Sequence, residues 1–154
     1  MMLVSSFVFV ISLYSLYYYF RYACRSIVRR EFEKDYSTSV ARANHLEFLE
    51  VRRALVQEAG TGAYEPMIEA LERDFQTLTY LLRNAATIHV GSYSRQERML
   101  IIDYHLLSFW LRFKRLLGIK SLRNTLVEMT DILNYFANVM GQRAAAFSSA
   151  TVTY

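Results

Sequence analysis

From Met2 to Phe20 the chain runs 19 residues without a charged side chain, and Arg21, Arg25, Arg29 and Arg30 follow with no acid among them. As a helix, at about 1.5 Å per residue, this run reaches ~28 Å, close to a hydrocarbon thickness of about 30 Å. Ser5, Ser6, Ser12 and Ser15 interrupt it, but serine hydroxyls bond back to helix carbonyls and are tolerated in lipid. Tyr14, Tyr17, Tyr18, Tyr19 and Tyr22 crowd its C-terminal end, where amphipathic rings suit the headgroup region. The pattern predicts a single transmembrane anchor over residues 1–35, flanked by Tyr17, Tyr18, Tyr19, Arg21, Tyr22, Arg25, Arg29 and Arg30.

A cleavable secretory signal begins with positive charge and ends at a small-residue cleavage site. Here no lysine or arginine precedes the apolar run, and Arg21-Tyr22-Ala23-Cys24 closes it. An uncleaved anchor is therefore preferred over an unconventional signal peptide and over a buried hairpin partner in a soluble bundle. Positive charge on the C-terminal side alone places the N-terminus outside and the downstream domain in the cytoplasm.

The remainder has room for one domain of ordinary size, in a chain of 154 residues that is 53% apolar and carries a single proline. That composition favours helix over disorder or a loop-rich fold. The single cysteine, Cys24, cannot form an internal disulfide, so the fold does not depend on an oxidising compartment. The net charge of +4 belongs to the first 30 residues, because residues 31–154 hold 14 basic and 14 acidic side chains. Nucleic acid is not expected as a partner on this balance. Residues 31–74 carry 10 acids against 5 bases and residues 75–154 carry 4 against 9, so the two halves attract each other across a bundle.

Helical periodicity organises the rest of the chain. The anchor helix is expected to continue through residues 21–35, either to kink or to run on at Tyr36–Ser39, and a helix to reach about Ala59 with Phe48, Val51, Leu55 and Ala59 in one row. Two glycines in "AGTGAYEP" end it, and Pro66 suits the first turn of the next. Ile68, Leu71, Phe75, Leu78, Leu82 and Ala85 then repeat at 3-4 spacing as far as Gly91. Ser94 with Glu97 forms a capping box, and Met99, Ile102, Leu106, Phe109, Phe113 and Leu116 give the core row of the following helix, which ends at Gly118. Ser121 caps the last, with Leu122, Leu126, Met129, Leu133, Phe136 and Met140 inward. The fold class is all-α, a single transmembrane helix followed by an antiparallel up-down bundle of three to four helices over residues 36–141, with 142–154 a flexible tail.

Catalytic chemistry is not expected. No Glu-x-x-His pair is present for a di-iron centre, and His45, His89 and His105 fall at different heights along an up-down bundle, so neither a metal nor another cofactor is expected. His89 is placed in a last helical turn, where imidazole complements the helix C-terminus. There is no G-x-S-x-G, phosphate-binding glycine loop or C-x-x-C, and Asp103 and His105 are not spaced to face each other as an acid–base pair. A small-molecule substrate is not expected either.

Two features remain. "RFKRLLGIKSLR" gathers Arg112, Lys114, Arg115, Lys120 and Arg123 around one interhelical turn, a candidate anion site beside a helix N-terminus; helix-end solvation and dipole compensation are the plainer account. Behind the assigned core row of the same helix lies a second apolar row, Leu100, Tyr104, Leu107 and Leu111, flanked by Trp110. A helix apolar nearly all round needs cover on more than one side, so this row is expected to dock a protein partner or another copy unless the chain itself covers it. The sequence thus reads as a membrane-anchored, non-catalytic interaction or scaffold module whose partners are the bilayer and a protein or a homo-oligomer. A tethered binder of an anionic ligand or nucleic acid through residues 112–123 is the alternative.

Overall fold

The structure, a computed structural model, describes residues 2–57, 64–88, 93–119 and 121–151. Among these the chain is all-α, with no strand: α1 Met2–Val28, α2 Ser37–Ala43, α3 Phe48–Gln57, α4 Tyr64–Ile88, α5 Arg95–Leu116 and α6 Arg123–Thr151. It divides into one unit ending at Glu31, which holds α1, and a second beginning at Phe32, which holds the rest.

α1 is 27 residues long, and its apolar side chains, Val4, Phe7, Phe9, Leu13 and Leu16 among them, are exposed. Among the described residues no helix is long and apolar enough to cross a membrane. Four serines, four tyrosines before Phe20 and the arginines that begin at Arg21 dilute the apolar character that the uncharged run suggests. The helix also stops short of the expected juxtamembrane extension. Arg29 and Arg30 close its last turn through backbone bonds to the Arg25 and Ile27 carbonyls, and no helix resumes before Ser37.

In the second unit α6 is the helix on which α2, α3, α4 and α5 all pack. Its middle is buried over most of its circumference: Leu126, Met129, Ile132, Leu133, Phe136 and Ala137 lie in the core together with Thr125, Thr130 and Asn138, and Val127, Asp131 and Asn134 are half-buried. Thr130 satisfies its hydroxyl on the Val127 carbonyl, and the Asn138 amide donates to the Asn134 carbonyl. α6 runs to Thr151, so the tail expected to fray from residue 142 is helical that far. α4 buries Ile68, Leu71, Phe75, Leu78 and Leu82, the row its spacing predicts; Gly91 and His89 lie outside the described residues, as do Gly60 and Gly62.

The segment before α3 departs from the expected continuous helix. α2 and α3 are separated by a turn in which His45 takes φ 53°, a left-handed conformation that a helix cannot propagate through. α2 is held from its N-terminal side. The Asp35 carboxylate accepts from the Ser37 hydroxyl (2.6 Å) and amide (2.9 Å), bonds that hold its pKa below the usual value. Tyr36 donates its amide to the Asn138 side chain at 2.7 Å. Its ring lies over Gly141 of α6, where any Cβ would overlap Tyr36 Cβ.

α3 has its cap supplied from another helix. Asp74 of α4 accepts from the amides of Glu47 (2.8 Å) and Phe48 (2.7 Å), satisfying donors that the start of a helix leaves open. Asp74 is buried. Burial raises its pKa above the usual carboxylate value, against the two amides, which lower it.

These contacts set the cost of removing them. Asp74→Ala orphans two amides and costs about 2 kcal/mol, whereas Asp74→Asn keeps an acceptor and sheds a buried charge, costing under about 1 kcal/mol; urea denaturation ranks them. Because the folded-state pKa of Asp74 lies above 3.8, the folded wild type takes up its proton before the unfolded chain does. Its stability relative to Asp74→Asn therefore rises as pH falls from neutral towards 3.8. Gly141→Ala destabilises by about 1–3 kcal/mol through overpacking on Tyr36, although alanine is the better helix former by about 1 kcal/mol; a lowered melting temperature reports it.

Candidate interaction surface

α5 begins with the capping box the sequence announces: the Ser94 hydroxyl accepts from the Glu97 amide and Glu97 accepts from the Ser94 amide. Glu97 is buried and its other carboxylate oxygen meets Arg143 of α6 at 2.5 Å. From there the inward face of α5 is Leu100, Tyr104, Leu107 and Leu111, all buried. Tyr104 stacks on Phe75 of α4, with ring centroids 3.8 Å apart and planes 1° from parallel, and its hydroxyl donates to the Leu71 carbonyl at 2.8 Å. Burial pushes the phenol pKa far above its ordinary range, and the nearby Glu72 and Asp74 add to it.

The row expected to be a partner interface, Leu100, Tyr104, Leu107 and Leu111, is thus the core row of α5, and of that set only Trp110 reaches the surface. The row assigned to the core is the exposed one: Ile102, Leu106, Phe109, Phe113 and Leu116 all face out, Phe109 at 68% and Leu116 at 86% exposure. Both rows have the same 3-4 period, so spacing could not rank them. The polar atoms decide. Tyr104 and Glu97 occupy the row that can reach a carbonyl of α4 and the guanidinium of α6, and a buried polar group without such partners is costly.

Beside the exposed row, Trp110 stacks on Phe113 at 5.6 Å, and Leu117 and Ile119 prolong the apolar surface past the helix end, around Gly118 at φ 67°. Lys114 lies 5.8 Å from the Trp110 ring centre and donates to the Ser121 carbonyl and the Thr125 hydroxyl. Arg112 pairs with Glu72 at 3.1 Å and Arg115 with Glu65 at 2.6 Å, both on α4. Arg123 donates to the Leu55 carbonyl at the end of α3. Of the expected anion site, Arg112, Lys114, Arg115 and Arg123 are therefore engaged within the fold, and Lys120 lies outside the described residues.

Elsewhere, an open cleft of about 410 Å³ lies between α2 and α3, lined by Thr38, Arg42, His45, Glu47, Glu50 and Arg53 with Leu46 and Leu49. Its charges are of both signs. Among the described residues no group of three or more His, Cys, Asp or Glu is placed to hold a metal ion. His105 is exposed, with its ring edge-on to Phe75 at 5.3 Å. In α1, Tyr17, Tyr18, Tyr19, Tyr22 and Arg25 are exposed, Arg21 is half-buried and Cys24 is buried; Arg29 and Arg30, beyond the helix, are exposed.

The described residues form an all-α protein in which α5 leaves an apolar face exposed, with Lys114 and the Arg112–Glu72 and Arg115–Glu65 pairs near its C-terminal end. No protein-family model, curated protein or solved structure matches the chain.

The inverted rotation of α5 gives a direct test. Phe109→Ser and Leu116→Ser stay within about 0.5 kcal/mol of wild type, whereas Leu107→Ala costs about 2–5 kcal/mol and Leu107→Arg unfolds the domain; chemical denaturation of the four variants checks the order.

Proposed function

We propose that this chain is a membrane-associated, non-catalytic interaction module. α1 seats in the bilayer with its N-terminus on the outer side, and the unit from Phe32 onward is an up-down helix bundle held in the cytoplasm, where it presents the outward row of α5. The observation that carries this reading is the exposure of apolar side chains around α1: Val4, Phe7, Val8, Phe9, Val10, Ile11, Leu13 and Leu16 all face outward, and the unbroken run from 7 to 11 goes round the helix, so no single packing partner could cover it. Lipid solvates such a surface on every side. The 19 uncharged residues also match the hydrocarbon thickness in length, and the tyrosine and arginine flank suits an interface. The anionic-ligand alternative is less well supported, because Glu72 and Glu65 already pair with Arg112 and Arg115.

The test is alkaline carbonate extraction of membranes from cells expressing the full chain. The protein is expected to remain with the membrane, and a variant lacking residues 2–20 to be released; recovery of the full chain in the soluble fraction overturns the reading. Protease added to intact cells should leave the Phe32–Tyr154 unit uncut, and its digestion would reverse the orientation.

A further inference from the structure

We infer that the outward face of α5 is a second membrane contact, one that seats on an anionic phospholipid surface. The inference rests on the membrane association proposed above and names what the α5 face meets there. Three features of the face favour lipid headgroups over a protein partner.

The first is area. Ile102, Leu106, Phe109, Trp110, Phe113 and Leu116, with Leu117 and Ile119 beyond the helix end, are between 39% and 86% exposed. At about 200 Å² for a fully exposed large side chain, they leave roughly 900 Å² of apolar surface open, as much as one side of a standard protein interface at about 800 Å². A patch of this size marks a docking surface.

The second is charge. α5 has two acids, Glu97 and Asp103, and both are buried. Its charged side chains outside the core are all cationic: Arg95 and Arg98 precede Ile102 on the same side of the helix, Arg112 and Lys114 lie to either side of the apolar row, and Arg115 turns towards Glu65 of α4. A second copy docked through the same face would bring these cations against each other, whereas lipid phosphates would meet them with opposite charge. Arg112 and Arg115 are already paired with Glu72 and Glu65 of α4, so the lipid phosphates are met chiefly by Arg95 and Arg98 at the other end of the face.

The third is side-chain type. Phe, Trp and Leu between Arg and Lys are the composition of helices that lie in the plane of a bilayer, their apolar face sunk about 5–10 Å into the headgroup and acyl boundary. The indole of Trp110, stacked on Phe113 with Lys114 near its face, is suited to that depth.

Trp110 is the chain's only tryptophan, so its fluorescence reports this face in the full-length protein. The protein is reconstituted into phosphatidylcholine vesicles with and without phosphatidylglycerol, each prepared with ordinary or brominated acyl chains, and vesicle flotation is measured in parallel. In anionic vesicles the Trp110 emission is expected to shift to the blue and to lose roughly half its intensity to bromolipid, as fits burial at the acyl boundary. Neutral vesicles should quench it far less. Raising salt to about 1 M, where the Debye length falls to about 3 Å, should reverse the anionic effect. Phe109→Asp combined with Leu116→Asp should abolish quenching while flotation and helical circular dichroism stay unchanged. Flotation without bromolipid quenching overturns the inference and leaves the α1 anchor standing. Shielding of Trp110 from acrylamide without bromolipid quenching, together with a cross-linked dimer, overturns it in favour of a second copy on this face. Failure to float in either lipid removes both the anchor and this contact.

Discussion

The phenol of Tyr104, stacked on Phe75 and bonded to the Leu71 carbonyl, fixes the rotation of α5 about its axis. Everything that helix presents outward depends on this placement. An apolar residue could occupy either of two rows at similar cost, but a buried hydroxyl needs an acceptor, and α4 offers one on one side only. Glu97 works in the same sense nearer the start of the helix, closing the capping box and meeting Arg143 of α6. These two polar anchors hold Leu100, Leu107 and Leu111 in the core and leave Ile102, Leu106, Phe109, Phe113 and Leu116 outside.

α6 provides the frame for that choice. The pairs Gln96–Tyr135, Glu97–Arg143 and Lys114–Thr125 run in opposite chain directions along α5 and α6. Between α4 and α5 with the residue leading into it, Thr79–Tyr93, Leu71–Tyr104 and Glu65–Arg115 do the same. At the far end of α6, Asn138 and Gly141 receive Tyr36, one through a side-chain acceptor and the other by having no side chain. Phe32 packs its ring against Tyr135 nearby, at 5.4 Å. One long helix with small and polar residues at chosen heights therefore seats its neighbouring segments by different means.

Much of this is legible in the sequence where one apolar row stands alone. Ile68, Leu71, Phe75, Leu78 and Leu82 of α4, and Leu122 just before α6 with Leu126, Met129, Leu133 and Phe136 within it, are buried as their spacing predicts. The Ser94–Glu97 capping box is readable as well, since both partners lie within four residues. Spacing assigns the wrong row of α5 to the core because two rows share its period and only a long-range hydrogen bond distinguishes them. Asp74 as the cap of α3 leaves no local signal, its amides being 26 and 27 residues away. The break at His45 escapes notice because no glycine or proline marks it. Continuation of α6 to Thr151 accords with Arg143, whose contact with Glu97 lies just beyond the glycine at which the sequence suggests an end.

The borrowed cap of α3 has a bearing on how the chain is made. A helix of 10 residues is too short to persist alone in water, and the carboxylate that closes its first turn is translated 26 residues after the nearer of the amides it serves. As the polypeptide leaves the ribosome, α3 therefore emerges before its cap and remains uncommitted until α4 arrives. Synthesis order thus ties the folding of this stretch to the arrival of α4.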